Sequence, residues 1–375
     1  MTRAVAGGSA VGFAAGWNIT DVGAVASDLA ADYDVGLAVV GLFTTALFLT
    51  HMVMQLPSGR LSDRFGARRA CAAGLAVLAA FNAVALVAPD PALALVARLA
   101  MGVGTALAFI GGSDYVRASG GSPFAQGLYG GLATAGGGVA LVVVPVLDGA
   151  LAWRAPYLSA IVVAALAAAL LAAGLGVREA HRGPGPRVAL RTLVADRRML
   201  RLAVVFAGSF GLSVVIGNWV VTLLEDTTGL GATGAGAIAG VTLILGVVSR
   251  PLGGWILRAH PARARRAIVG SAAVGAVGTV ALASGSVGVA FGGACAVGLA
   301  AGIPFAVAFT GAAGLHPRSP ATAIGLVNAA GALTVVVGAP LAGVAFEHGA
   351  GVAAFVVIAV LWAASALPAA RAVTP

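Results

Sequence analysis

Gly59-Arg60-Leu61-Ser62-Asp63-Arg64-Phe65-Gly66-Ala67-Arg68-Arg69 decides how the whole chain is read. Four arginines and one aspartate sit between an apolar run at 36–57 and another at 70–88. A membrane-spanning helix needs roughly 20 apolar residues to cross a ~30 Å hydrocarbon core, and both runs meet that length. Loops crowded with arginine resist translocation and remain on the cytoplasmic side. The stretch is therefore an inner connection between two membrane helices, with glycines that allow a tight turn and close helix contact.

The same alternation continues along the chain. Twelve apolar runs are predicted to span, at about 4–27, 36–57, 70–88, 91–113, 124–147, 153–177, 200–224, 233–257, 267–285, 287–313, 322–346 and 350–370. All 22 basic residues are arginine, and nineteen lie in alternate gaps together with four acids. The other gaps hold one arginine, Arg154, and eight acids, among them Asp28, Asp90, Asp148 and Glu225. This places both termini in the cytoplasm of a plasma-membrane protein, the inner membrane in a bacterial cell. The composition agrees: 60% of residues are apolar and 9% charged, against about 25% charged in a soluble domain. The pI near 11.1 thus reports orientation in a bilayer and not nucleic-acid binding.

Several function classes drop out. With no lysine in the chain, a P-loop lysine or a Schiff-base lysine is impossible, and no polar segment is long enough for a nucleotide domain. Cys71 and Cys295 stand alone and no HExxH is present, so neither a metal nor any other cofactor is expected. Arg3, an apolar run and Ala24-Val25-Ala26 imitate a signal peptide, but the run is too long for a signal core and holds Trp17, Asn18 and Asp21. It is read as the first span.

The longest polar stretch, 178–199 with Pro184 and Pro186, divides the spans six and six. The expected units are residues 1–177, a cytoplasmic linker at 178–199, and residues 200–375. The halves echo each other: aligning Asp63 with Arg258 sets Gly59 on Gly254 and Gln55 on Arg250. Such repeats let secondary transporters place a site between two moving halves.

The stretch at 59–69 resembles the signature loop of the major facilitator superfamily, G-x-L-x-D-R-x-G-x-R-R, in its usual place after the second span. Arg98-Leu99-Ala100-Met101-Gly102-Val103-Gly104 is similar to the superfamily's R-x-x-x-G-x-G in the fourth span. The resemblance covers essentially the whole chain. It implies an all-α membrane protein of twelve helices in two pseudo-symmetric six-helix bundles, working by alternating access, and not an enzyme. It also implies that Gly59, Asp63, Arg64, Gly66 and Arg68 form a gating clamp that holds the outward-open state. Physically, Asp63 has two partners open to it: a neighbouring arginine, or a helix N-terminus whose partial positive charge favours a carboxylate.

Three charges lie inside spans. A mid-span arginine costs about 2.5–3.5 kcal/mol on insertion scales, so Arg98 and Arg250 are expected to face a wet passage. Asp21 and Arg98 lie at similar depth and are predicted to pair, either as a permanent structural pair or as the proton-coupling site. Arg250 suits an anionic substrate or a structural role. Ser249-Arg250-Pro251-Leu252-Gly253-Gly254-Trp255 is similar to the eighth span of the superfamily's nitrate/nitrite porters, although Gln55 stands where those carry a second arginine, and Asn328 with Gly331 is only a trace of their eleventh-span pattern. His51, one turn before Gln55, is read as a buried neutral histidine or a proton relay. Asn18, Asn218, Trp219, Thr222 and Asn328 complete the candidate substrate set. The predicted function is a proton-coupled symporter or antiporter of a small anion, an organic acid or nitrate, with a drug exporter and a non-transporting sensor as alternatives. The expected partners are a small-molecule substrate, protons and the lipid bilayer; the chain is expected to be a monomer.

Overall fold

The computed structural model describes residues 3–174 and 190–370, and nearly all of these are helical. Twelve principal helices follow in chain order: α1 Arg3–Thr20, α2 Leu37–Phe65, α3 Ala67–Ala85, α4 Pro91–Ala118, α5 Pro123–Leu151, α6 Ala155–Ala173, α7 Arg197–Thr228, α8 Ala232–Ile244 continued by Gly246–Ala259, α9 Pro261–Leu282, α10 Val287–Leu315, α11 Pro320–Glu347 and α12 Gly351–Ala364. Residues 178–189 of the expected linker, and Arg371, lie outside the described residues. Beyond them, Leu190–Ala195 forms a short helix, and Asp196 accepts the N–H of Arg198 as α7 begins.

Among the described residues, nine stretches are long and apolar enough to cross a membrane. One of these, Pro123–Ala173, holds two crossings, because Ala152 at φ 48° breaks it between α5 and α6. The remaining two are α1, diluted by four glycines, Arg3 and Asn18, and α12, with 14 residues. The outward surface carries apolar side chains, such as Val162 and Leu166 on α6, Val277 on α9 and Val360 on α12, while Arg98, Arg250 and Asn328 are buried. That is the arrangement a lipid solvent imposes.

Two helices depart from their predicted runs for identifiable reasons. α2 continues through Pro57 to Phe65, so Arg60, Asp63 and Arg64 ride on its last two turns; the connection to α3 is Gly66 alone, at φ 94°, where a side chain would be strained. α1 stops at Thr20 instead of running on to 27. There the Asp21 carboxylate takes the N–H of Val22 at 2.8 Å, and the chain passes through a 3-10 turn, Gly23–Val25, into a short helix, Ala26–Asp32.

The helices form two six-helix bundles, α1–α6 and α7–α12, with matching internal neighbours. The α1–α5, α2–α4, α3–α4 and α3–α6 contacts repeat as α7–α11, α8–α10, α9–α10 and α9–α12. Between bundles, α2 packs along α11 and α5 along α8, two seams that exchange under the same pseudo-symmetry. The seams match residue by residue. A Cβ on Gly325 would meet the Gln55 carbonyl, as one on Gly127 would meet that of Arg250; Gly59 lies against Ala321 as Gly254 does against Pro123. Gln55 and Arg250 therefore occupy equivalent places, as do Gly59 and Gly254. Small residues permit this approach where no hydrophobic force drives helices together.

Candidate transport site

Three polar groups inside the bundles account for most of the predicted site residues. The first closes the end of the molecule at Asp63. Asp63 Oδ2 accepts from the backbone N–H of Thr322 at 3.3 Å and from its hydroxyl at 2.8 Å. Thr322 is in the first turn of α11, so a carboxylate of one bundle caps a helix of the other, at the positive end of its dipole. The helix N-terminus, and not an arginine, is its partner. The arginine partner goes elsewhere: Arg117 pairs with Asp114, whose other oxygen accepts from Ser62 at 2.7 Å. Arg64 stacks on Phe65, and Arg68 reaches the Leu171 carbonyl at 3.5 Å. Arg258, at the equivalent place in the second bundle, is exposed, and α5 is capped by its own Ser122. Among the described residues, a carboxylate cap of this kind joins the bundles on one seam.

The second group lies near the opposite end, within the first bundle. Arg98 Nη1 donates to Asp21 Oδ1 at 3.0 Å and Nη2 to the Asn18 carbonyl at 2.9 Å; both charged side chains have no exposed surface. Asn82 donates to Asn18 Oδ1 at 2.8 Å. Among the described residues, Asp21 Oδ2 and Arg98 Nε have no hydrogen-bond partner. Asn18, expected among the substrate ligands, is turned into this network and away from Arg250. Arg98, expected to face a wet passage, is fully buried and lies against an opposite charge, Asp21.

The third group is central. Five phenylalanines from both bundles form a buried layer: Phe109 on α4, Phe206 and Phe210 on α7, and Phe305 and Phe309 on α10. Ring centroids are 5.0 Å apart for Phe206–Phe210 and 4.3 Å for Phe305–Phe309. On one flank lies Arg250, 2% exposed, its guanidinium 4.3 Å from the Phe305 ring centroid and 5.5 Å from that of Phe210. Among the described residues no carboxylate pairs with it, and its Nη1 has no hydrogen-bond partner. On the other flank His51 contacts Thr105 through Nδ1 at 2.9 Å and Asn328 of the second bundle through Nε2 at 3.4 Å. Gln55 donates to the His51 carbonyl at 3.0 Å, and its Oε1, like Asn328 Oδ1, has no partner among the described residues. His51 and Gln55 thus share a face, and that face meets α11.

Above the phenylalanine layer, away from the Asp63 clamp, lies a cavity of about 30 Å³ bounded by α1, α4, α5, α7 and α8. This is room for very few waters. Phe109, Phe210, Val214, Leu243 and Thr134 contribute to its walls. Asn218 and Thr222 follow Val214 at four-residue spacing, on the face of α7 that borders the cavity; Asn218 donates to the Val214 carbonyl at 3.1 Å. Trp219 points elsewhere, donating to the Ala339 carbonyl at 2.9 Å and stacking on Phe346. Sequence reasoning missed Asp114, Thr322 and the phenylalanine layer. Asp114 alone left a signal, an acid within a helix with Arg117 at i+3; the others depend on packing between distant helices.

Two related six-helix bundles meet along two seams, joined at one end by the Asp63–Thr322 hydrogen bonds and enclosing buried charge. The chain belongs to the Major Facilitator Superfamily, whose sequence profile it matches over residues 7–321. The human organic anion transporter MFSD10 (TETRAN), a crystal structure, superposes with a TM-score of 0.76 at 16% identity, covering 98% of this chain and 99% of that one. A search of curated protein sequences gives no match. The protein is thus a multi-pass transporter, embedded in a lipid bilayer and acting on a small molecule.

Proposed function

We propose that this transporter is a proton-coupled carrier of a small anion, with Arg250 as the anion's ligand. One observation carries the proposal: Arg250 is a buried cation at the junction of the two bundles with, among the described residues, no partner for its Nη1 and no paired acid, whereas Arg98 has Asp21. A bound anion supplies the missing charge, and guanidinium geometry favours a carboxylate or a similar planar oxyanion. Gln55 at the equivalent place leaves a single cation, which suits a monoanion. The solved neighbour's description as an organic anion transporter supports the same class. Asp21 is the proton site in this scheme; its protonation removes the charge that holds Arg98. His51, Gln55 and Asn328 hold the α2–α11 seam, and Asn218 and Thr222 line the approach. The moving units are residues 1–177 and 200–375, joined by 178–199, with the arginine-rich ends in the cytoplasm of a plasma membrane and the chain acting as a monomer.

A thermal-shift screen of purified protein against nitrate, benzoate, choline and tetraphenylphosphonium tests this. Ligand at 100 times its Kd adds about 2.7 kcal/mol. Anions should raise the melting temperature of the parent and leave Arg250→Gln unmoved. Stabilisation by anions that survives the substitution would remove Arg250 as the ligand.

A further inference from the structure

The α7 helix is not regular. At Ala207–Gly211 it makes a π-turn, carrying one extra residue, and Phe210 sits in that turn. Such turns are rare and recur at functional sites. Phe210 belongs to two neighbourhoods: it helps to wall the cavity, and its ring also lies against the Arg250 guanidinium. Arg250 itself is not part of the cavity wall, and neither is Phe305, although Phe305 makes the closer cation–π contact. The ring of Phe210 therefore stands between the cavity and the cation.

We infer that Phe210 is a lid over the anion site, held shut by the guanidinium it covers. This rests on Arg250 as the anion's ligand. In the empty carrier the rings of Phe210 and Phe305 give the unpaired cation its attractive contacts; an arriving anion replaces them and leaves Phe210 free to turn aside. The π-turn provides the movement. A shift of the π-turn along the helix past Phe210, which keeps the extra residue but returns Phe210 to α-helical register, rotates the side chain by about 100° around the helix axis, off the guanidinium. The shut position depends on a glycine: Gly331 of α11 lies against the rings, and a Cβ there would come within 2.9 Å of Phe210 Cδ1 and 3.0 Å of Phe206 Cε1. Phe210 thereby sets how readily, and for what size of anion, Arg250 is reached.

Phenylglyoxal, a small neutral arginine reagent, reads this directly when modification of individual arginines in the purified full chain is followed by peptide mass spectrometry. Phe210→Leu should speed modification of Arg250 by about tenfold, equivalent to about 1.4 kcal/mol. Phe305→Leu, which removes the closer ring contact but no part of the cavity wall, should change it less than about twofold. Equal rates in the two variants, or no acceleration in Phe210→Leu, would overturn the lid. Arg98, sealed in the first bundle, should stay unmodified throughout. If Phe210→Leu exposes Arg98 as well, Phe210→Trp decides: slower modification of Arg250 than in the parent supports the lid, and equal or faster modification overturns it. Benzoate, added separately, should slow Arg250 modification in the parent; absence of that protection would dismiss Arg250 as the anion's ligand while the comparison of leucine variants still reports on access.

Discussion

Asp21→Asn isolates the charge of a buried pair from its geometry. The amide oxygen can still accept from Arg98 Nη1 and from the N–H of Val22, so the shape of the site is kept while the guanidinium loses its counter-charge. Removing one partner of a buried ion pair costs about 3–5 kcal/mol, because the other charge is stranded. The lower end applies here, since Arg98 Nη2 keeps its bond to the Asn18 carbonyl; the expected loss is about 3 kcal/mol. Equilibrium unfolding in mixed micelles measures it, with Trp17 as an optical reporter, since it is buried on α1 and bonded to Ser159 at 3.1 Å. Arg98→Gln alone should cost a similar amount. The double variant, with no charge left to strand, should lie within about 2 kcal/mol of the parent, a coupling of about 4 kcal/mol and above the roughly 0.5–3 kcal/mol usual for contacting residues. If Asp21→Asn lay within about 0.5 kcal/mol of the parent, or if the two losses simply added, the pair would not be compensating charge in a dry bundle.

Asp63→Asn should weaken the cap on α11 by about 1 kcal/mol and raise hydrogen exchange at residues 321–324; unchanged exchange there would mean that the clamp contributes nothing to closure. Gly16→Ala should destabilise strongly, since its Cβ would overlap the Ala133 carbonyl, whereas Gly292→Ala, which faces open space, should not lower the melting temperature. Comparable shifts in both would contradict the close approach of α1 and α5.

The sequence made the spans legible because lipid leaves a one-dimensional trace: a run of apolar residues, then polar ones at the surface. It also made the repeat legible, since Gly59 with Gln55 and Gly254 with Arg250 do occupy matching places on the two seams. The pairing of Asp21 with Arg98 followed from depth alone. What packing decides between distant helices left no such trace. Asn18 and the cavity-lining Ile19 are adjacent in sequence, yet Asn18 turns to Asn82 and Arg98 inside the bundle. Trp219 and Asn218 are also adjacent; one anchors α7 to α11 and the other follows the cavity face. The phenylalanines that cover Arg250 come from α4, α7 and α10, and the π-turn that presents Phe210 has no compositional signature.

Counterflow of labelled benzoate in proteoliposomes, parent against Arg250→Gln, bears most directly on Arg250 as the point where cargo is held. Loss of a charged, two-point contact of about 3 kcal/mol predicts saturable exchange in the parent and about a hundredfold loss in the variant. Undiminished exchange by Arg250→Gln would contradict it.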